Sequence, residues 1–293
     1  MGAGRVGSAR EFWSLAKQSF QAWNEDYASS MGAALAYYTA FSLAPVLILV
    51  IAIAGVAFGA DAARGEIVAQ LRDLLGDQGA KATEQLLASA SKPGSGAVAS
   101  ALSLVTLLLG ATSVFAELQS DLDRIWRAPV IQHTSGFVAL LRARVLSFGM
   151  VIAMGFLLLV SLVFGAALSA AGKWGGTLFP AGALILQAVN LLVGFGVTVA
   201  MFATAYRVLP RARIAWSDVW VGAIVTAILF TLGKYLIGLY MGLASVSSGF
   251  GAAGSLIAVL VWVYYSTQIF LLGAEFTWVF AHRKGSRVNH PAA

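Results

Sequence analysis

Long apolar runs alternate with short charged segments along the whole chain. A helix that crosses a bilayer needs about 20 mostly apolar residues, so predominantly apolar runs of 18 or more with few or no charges are typical of such helices. Six runs reach that length, and they lie at 34–60, 97–117, 145–171, 178–206, 219–243 and 252–281. The pattern predicts an all-α fold, namely a polytopic membrane helix bundle with six transmembrane helices.

The segment before the first span has the period of an amphipathic helix. Its apolar side chains fall within an arc of about 100° at 3.6 residues per turn, opposite Glu11, Gln18 and Glu25. The arc contains Phe12, Trp13, Ala16, Phe20, Trp23 and Tyr27. Aromatic side chains suit the headgroup level, so we expect an interfacial helix within a cytoplasmic segment 1–33. The alternative is that the stripe packs on the protein's own cytoplasmic loops.

The segment 61–96 has a second amphipathic pattern. Its apolar positions are Ile67, Val68, Leu71, Leu74 and Leu75. We expect one or two short external helices here that cap the bundle, followed by a turn at 91–96, where the letters SKPGSG lead into the second span. The membrane domain then covers residues 34–281, and 282–293 form a tail.

The distribution of Lys and Arg predicts the orientation in the membrane. Cytoplasmic loops carry an excess of these residues. If both termini lie inside, 13 of the 19 basic residues face the cytoplasm, 5 lie outside and Lys234 lies within a span. We therefore expect both termini in the cytoplasm. Because this topology accounts for the net charge of +6, no nucleic-acid partner is expected.

Composition narrows the function classes. The chain is 59% hydrophobic and 11% charged, whereas soluble domains carry about 25% charged residues. It has no cysteine, and His133, His282 and His290 are too far apart in sequence to form a helical metal pair. No P-loop, nucleophile elbow or dinucleotide fingerprint is present. We therefore expect neither an enzyme nor a bound metal or cofactor.

The last span separates its polar residues into two faces. With Tyr264 at zero and 100° per residue, Gln268 lies at about 40° and Glu275 at about 20°. The opposite side carries Ser255, Trp262, Ser266 and Gly273. Small residues let a neighbouring helix approach closely, whereas a face of Tyr, Gln and Glu is costly against acyl chains. Tyr264, Gln268 and Glu275 are therefore expected to point into the bundle.

Other spans also contain polar residues that could extend this face into a path. At 1.5 Å per residue, Gln187 and Lys234 lie about 13 Å below the outer ends of their helices, and Asn190 and Tyr264 about 18 Å below, so the four could share a layer. Glu275 lies nearer the cytoplasm, at a depth similar to that of Tyr38. The candidate intramembrane polar path is Lys234, Glu275, Gln268, Tyr264, Asn190, Gln187 and Tyr38.

Pro45 is a candidate kink in the first span, because it removes a backbone donor. A purely structural role is the alternative for the polar residues. Lys234 would then extend its amine to the headgroups, Glu275 would pair with Arg124 or Arg207, and the amides would join helices.

Four separated motifs resemble the YihY/BrkB family of bacterial inner-membrane proteins. They are GAALAYYTAFSLAP at 32–45, LQSDLDRIWRAP at 118–129, YRVLP at 206–210 and GFGAAGSLIAVLVWVYYSTQIFLLGAE at 249–275. The resemblance spans nearly the whole chain and implies six spans in the bacterial inner membrane. The family was formerly labelled ribonuclease BN. The sequence does not support this activity, because the sequence has no metal-ligand cluster. For some relatives the resemblance implies movement of lipid or lipopolysaccharide precursors.

Two function classes follow. The first is a transporter or flippase-like protein with a lipid or other amphiphile as substrate and with membrane lipids as partners. The second is a membrane scaffold or regulatory protein without transport. The sequence does not decide between them, and it leaves the oligomeric state open.

Overall fold

The computed structural model describes residues 9–90, 113–128, 180–243 and 254–288, together with positions 149 and 156. All regular structure in these residues is helical. The helices are α1 (Ala9–Glu25), α2 (Ala28–Phe58), α3 (Ala60–Ala90), α4 (113–125), α5 (Pro180–Val208), α6 (Trp216–Leu243) and α7 (Gly254–Arg283). The expected all-α membrane bundle is confirmed.

Four of the described helices are long and apolar enough to cross a membrane. The qualifying stretches are Ala28–Ala52, Ala188–Val208, Trp216–Ile237 and Ile257–Arg283, in α2, α5, α6 and α7. They coincide with the first, fourth, fifth and sixth predicted spans. Most of the spans at 145–171 and 97–117 and the turn at 91–96 lie outside the described residues, so the count of six stays a prediction.

The segment after α2 differs from its prediction. We expected one or two short helices, but α3 is a single helix of 31 residues. The chain reverses at Gly59, whose φ of 85° is accessible to glycine without strain. Leu71 of α3 and Leu43 of α2 both pack against Val259 of α7, so α3 folds back along α2. Burial continues to Leu87, and this extended contact stabilises one long helix.

Helices α6 and α7 form the tightest contact of the described bundle. A Cβ atom at Gly222 of α6 would overlap Thr277 of α7, and one at Gly273 would overlap Thr226. Glycine therefore lets the two backbones approach closely, as small residues do in membrane bundles. Gly273 thus lies in a helix contact, as its position on the wheel predicted. Tyr206 of α5 reaches the same contact, where its hydroxyl donates to the Phe270 carbonyl at 2.7 Å.

Helix α1 packs on α7 with one face and leaves its aromatic face exposed. Leu15 is buried against Phe276 and Val279. Phe12, Trp13 and Phe20 remain 55%, 73% and 59% exposed. Helix α1 thus packs on a membrane helix, which neither interpretation specified, and its position at the membrane interface stays a prediction.

Candidate functional site

Glu275 lies in a nearly closed cleft at the end of the bundle where α2 and α6 begin and α5 and α7 end. The side chain is 1% exposed. The cleft is also lined by Glu25 and Asp26 at the end of α1 and by Arg127 after α4, and its volume of about 10 Å³ has room for about one water molecule. We call Glu25, Asp26 and Glu275, with Arg127 and Trp278, the acidic cleft.

The acidic cleft contains more negative than positive charge. Three carboxylates face one guanidinium group, and the Glu275 Oε1 atom has no hydrogen-bond partner among the described residues. The Cζ atom of Arg127 lies 5.0 Å from the centre of the Trp278 ring, and the ring of His282 covers Trp278 at 4.5 Å. A buried carboxylate is costly unless it is paired and fully hydrogen-bonded. Glu275 therefore lies where a proton or a cationic group would be strongly favoured.

Two strained backbone positions lie beside the acidic cleft. Tyr27 joins α1 to α2 with a φ of 57°, and Arg127 lies in the turn after α4 with a φ of 46°. A bulky residue in the left-handed region costs of order 1–3 kcal/mol, and such residues cluster at functional and switching sites. The outliers therefore mark the α1–α2 link and the end of α4 as places where the backbone is held under constraint.

Above the acidic cleft, the polar face of α7 meets α2 at Gly32. The space where a Cβ of Gly32 would lie is occupied by the Gln268 amide, and the Tyr264 ring is 3.6 Å from it. Gln268 donates to the Ala28 carbonyl at 3.5 Å, while its Oε1 has no partner within the described residues. We call the contact of Gly32 with Tyr264 and Gln268 the α2–α7 seam. Tyr264, Gln268 and Glu275 thus follow one side of α7 over about 16 Å.

The other residues of the predicted path lie elsewhere. Gly233 of α6 contacts Tyr265 of α7, which lies about 15 Å from Glu275 along the helix axis. Lys234, the next residue of α6, is therefore at a similar distance from Glu275. Its Nζ atom is 5.9 Å from the Tyr235 ring centre. Asn190 of α5 is exposed.

Tyr38 of α2 is 39% exposed beside Tyr37, with 5.9 Å between the ring centres. Helix α2 continues unbroken through Pro45. Gln187 and Ser255 belong to α5 and α7, but their side chains are not among those that the structure describes.

The cleft partners of Glu275 were not identified from the sequence. Arg127, rather than Arg124 or Arg207, is the arginine beside it, and the second and third carboxylates come from the end of α1. The sequence contains one indication of these partners, since the letters NED at 24–26 place two carboxylates directly before an apolar span. A buried hydroxyl pair was also missed, in which Tyr206 and Thr226 lie 3.0 Å apart.

The described residues contain no group of three His, Cys, Asp or Glu side chains arranged to hold a metal ion. The carboxylates of α4 have other surroundings. Asp123 accepts a hydrogen bond from the Arg211 backbone N–H at 2.7 Å, and burial raises its pKa above the ordinary value. Asp121 is more deeply buried, and burial together with the nearby Glu117 raises its pKa to about 7.

Comparison with known proteins identifies relatives that are membrane proteins. A family model described as "Virulence factor BrkB" matches residues 19–293. A UPF0761 membrane protein of Pseudoalteromonas atlantica is 28% identical over 255 residues, which are 84% of this chain and 78% of the relative. One from Alteromonas mediterranea is 30% identical over 181 residues, or 61% of this chain and 58% of the relative.

A third relative, the UPF0761 membrane protein of Aeromonas salmonicida, is 28% identical over 178 residues, which are 60% of this chain and 58% of the relative. The chain thus spans less than two thirds of the length of several relatives that it matches. No solved structure matches the chain. The names of these relatives describe membrane proteins and no enzymatic activity.

Proposed function

This chain belongs to the virulence factor BrkB family of membrane proteins, and on that premise we propose that it moves a lipid or another amphiphile across the bacterial inner membrane. The proposal is a transporter or flippase-like protein that performs no enzymatic reaction, with membrane lipids as partners and no nucleic acid. Both termini face the cytoplasm in this proposal. The basic residues at the described bundle end that carries the acidic cleft support this orientation, since Arg124, Arg207, Arg211, Arg213, Arg283, Lys284 and Arg287 all lie there.

The observation that carries the proposal is the buried Glu275, whose Oε1 atom has no hydrogen-bond partner among the described residues. An ionisable side chain inside a membrane segment is costly and is a functional hypothesis by default. A residue with only a structural role would be expected to have its oxygens satisfied by neighbours. Glu275 instead faces two further carboxylates across a cleft with room for about one water molecule.

The α2–α7 seam supplies a route from this cleft into the membrane. Its polar groups, Gln268 and Tyr264, continue upward from Glu275 on the same side of α7. Tyr264 is 37% exposed, so the seam reaches the lipid-facing surface. A headgroup could follow the polar side of α7 while its acyl chains remain in the bilayer.

The cleft is too small for a headgroup in this conformation, so transport requires an opening movement. The strained link at Tyr27 is the natural place for it, because hinge residues absorb large changes in φ and ψ. Movement of α1 away from α7 would open the cleft at Glu25 and Asp26. Transport in this proposal is therefore coupled to the position of α1.

A scaffold without transport is the second candidate, and a specific observation favours it. Glycine and threonine fill the contact between α6 and α7, and Lys234 lies far from Glu275. A closely packed bundle of this kind suits a protein that presents surfaces to partners. The two functions differ in whether Glu275 affects lipid movement.

Lipid movement in proteoliposomes tests the proposal. Vesicles contain a phospholipid with a fluorescent headgroup label, and dithionite added outside quenches only the outer leaflet. We expect wild-type protein to make more than half of the label accessible, with or without an imposed pH gradient, and Glu275→Gln to slow this movement at least tenfold. Glu66→Gln, at an exposed carboxylate of α3, is the matched control and should resemble wild type. An absence of lipid movement by wild-type protein under both conditions would favour the scaffold.

A further inference from the structure

A second polar cleft at the same end of the bundle contains three arginines. Arg207 comes from the end of α5, Arg213 from the connection to α6, and Arg287 from the turn after α7. We call these three residues the arginine pocket. The pocket is open to the surface and has a volume of about 570 Å³, within the usual range of small-molecule sites. It is much larger than the acidic cleft and shares none of its lining residues.

Contacts with neighbouring groups position two of the guanidinium groups. The Cζ atom of Arg207 is 5.7 Å from the centre of the Trp216 ring, and that of Arg287 is 5.2 Å from the Trp126 ring. Arg287 also donates from Nη2 to the Arg213 carbonyl at 2.8 Å. Stacking on an aromatic face leaves the edge donors of a guanidinium group available for an oxyanion.

The charges of the pocket are largely uncompensated. No carboxylate of the described chain forms an ion pair with Arg207, Arg213 or Arg287. Asp218 lies behind Ser286, one of the lining residues of the pocket. The Oδ2 atom of Asp218 accepts hydrogen bonds from the Ser286 Oγ at 2.6 Å and from the Ser286 backbone N–H at 3.1 Å. Among the described residues, three arginines and no carboxylate line the pocket, so it favours an anion.

The position of the pocket indicates where the anion comes from. Arg207 lies one residue before the end of α5, and α6 begins at Trp216, so the pocket lies at the membrane boundary of two candidate spans. Trp216 and Trp220 are 48% and 45% exposed beside it, and tryptophan is enriched at the headgroup level. Basic pockets between membrane helices on the cytoplasmic side suit lipid headgroups.

We propose that the arginine pocket binds the phosphate group of an anionic membrane lipid. Arg207, Arg213 and Arg287 supply charge-assisted hydrogen bonds to the phosphate oxygens, and the Trp216 side chain lies beside the glycerol and acyl region. The site is separate from the acidic cleft, so it does not depend on lipid movement through the bundle.

Native mass spectrometry of the purified full chain tests the proposal. The protein is delipidated in detergent and titrated with phosphatidylglycerol or phosphatidylcholine. Both carry a phosphate, but only the first has a net negative charge. We expect preferential retention of phosphatidylglycerol and about tenfold weaker binding by Arg213→Gln, as expected for the loss of one charge-assisted hydrogen bond. Arg213→Lys should fall between the two, because lysine keeps the charge and loses the bidentate geometry.

The control removes an equal charge close by. Arg283 is exposed at the end of α7 and does not line the pocket, so Arg283→Gln should retain the lipid as wild type does. Equal loss in both Gln variants would indicate attraction by net charge and overturn the site, as would unchanged binding in Arg213→Gln. Displacement of phosphatidylglycerol by an equimolar amount of inorganic phosphate would overturn the lipid assignment in favour of a soluble phosphate. Arg213 is exposed, so its substitution should leave the melting temperature unchanged.

Discussion

The carboxyl group of Asp121 should make the stability of the protein depend on pH. Its side chain is 6% exposed, and its Oδ2 has no hydrogen-bond partner in the described parts of the chain. Burial, followed by the charge of Glu117, raises its pKa from 3.8 to about 7, and Arg124 opposes the change. Between about pH 4 and 7 the folded protein holds a proton that the unfolded chain releases. The stabilisation that the bound proton of Asp121 gives the folded state is therefore complete below about pH 4 and is lost as the pH rises through 7.

Replacement of the Asp121 carboxyl by an amide should remove this contribution to the pH dependence of stability. One pKa unit corresponds to about 1.36 kcal/mol, so a change from 3.8 to about 7 sets an upper limit of about 4 kcal/mol. We expect Asp121→Asn to raise the free energy of unfolding by about 1–4 kcal/mol at pH 8. Near pH 4.5 the wild-type carboxyl is protonated and resembles the amide, so the two proteins should be nearly equally stable.

Thermal unfolding in detergent, followed by tryptophan fluorescence at a fixed scan rate, measures this difference. The melting temperature of Asp121→Asn should exceed that of wild type at pH 8, and the gap should close by pH 4.5. Asp61→Asn, at an exposed position in α3, provides the matched control and should show no pH-dependent gap. A difference of equal size at both pH values would refute the linkage and indicate a packing effect of the amide.

Three further predictions concern packing and topology. Tyr206→Phe removes two buried hydrogen bonds, so it should destabilise the protein by about 1–3 kcal/mol, measured as a lower melting temperature. Gly222→Ala forces a Cβ against Thr277 and should cost about 1–3 kcal/mol, whereas Gly194→Ala enters open space and should cost nothing; equal melting temperatures for the two would contradict the close contact. A reporter fused after residue 92 should read external and one at the C-terminus cytoplasmic, and an external C-terminus would refute the proposed orientation.

Length and period of the apolar pattern predicted the main helices of the bundle. The candidate spans in α2, α5, α6 and α7 follow from hydrophobic runs alone, because a helix in lipid must satisfy its own backbone and remain apolar over its length. The wheel of α7 also placed Gly273 in a close helix contact and pointed Gln268 into the bundle, and the structure adds that its neighbour there is Gly32 of α2.

Features that depend on distant partners were not predictable in the same way. The amphipathic pattern at 61–96 indicated one or two short capping helices, but contacts with α2 and α7 support one long α3. The acidic cleft combines residues from the end of α1, the turn after α4 and the last third of α7. These segments are far apart in sequence, so no local pattern relates them. Strain at Tyr27 and Arg127 is imposed by the surrounding packing, so helix periodicity gives no sign of it.

The contact between α1 and α7 sets an order for the biosynthesis of this protein. Glu11 forms an ion pair with Lys284 at 2.7 Å, across 273 residues of sequence. At translation rates of about 5–20 residues per second, roughly 15–55 s pass between the synthesis of Glu11 and that of Lys284. The aromatic residues of α1 can lie on the membrane surface during that interval, but Phe276 and Val279, the buried partners of Leu15 in the described residues, come only with α7. A nascent chain that stops before α7 therefore lacks the helix on which α1 makes most of its contacts in the described bundle.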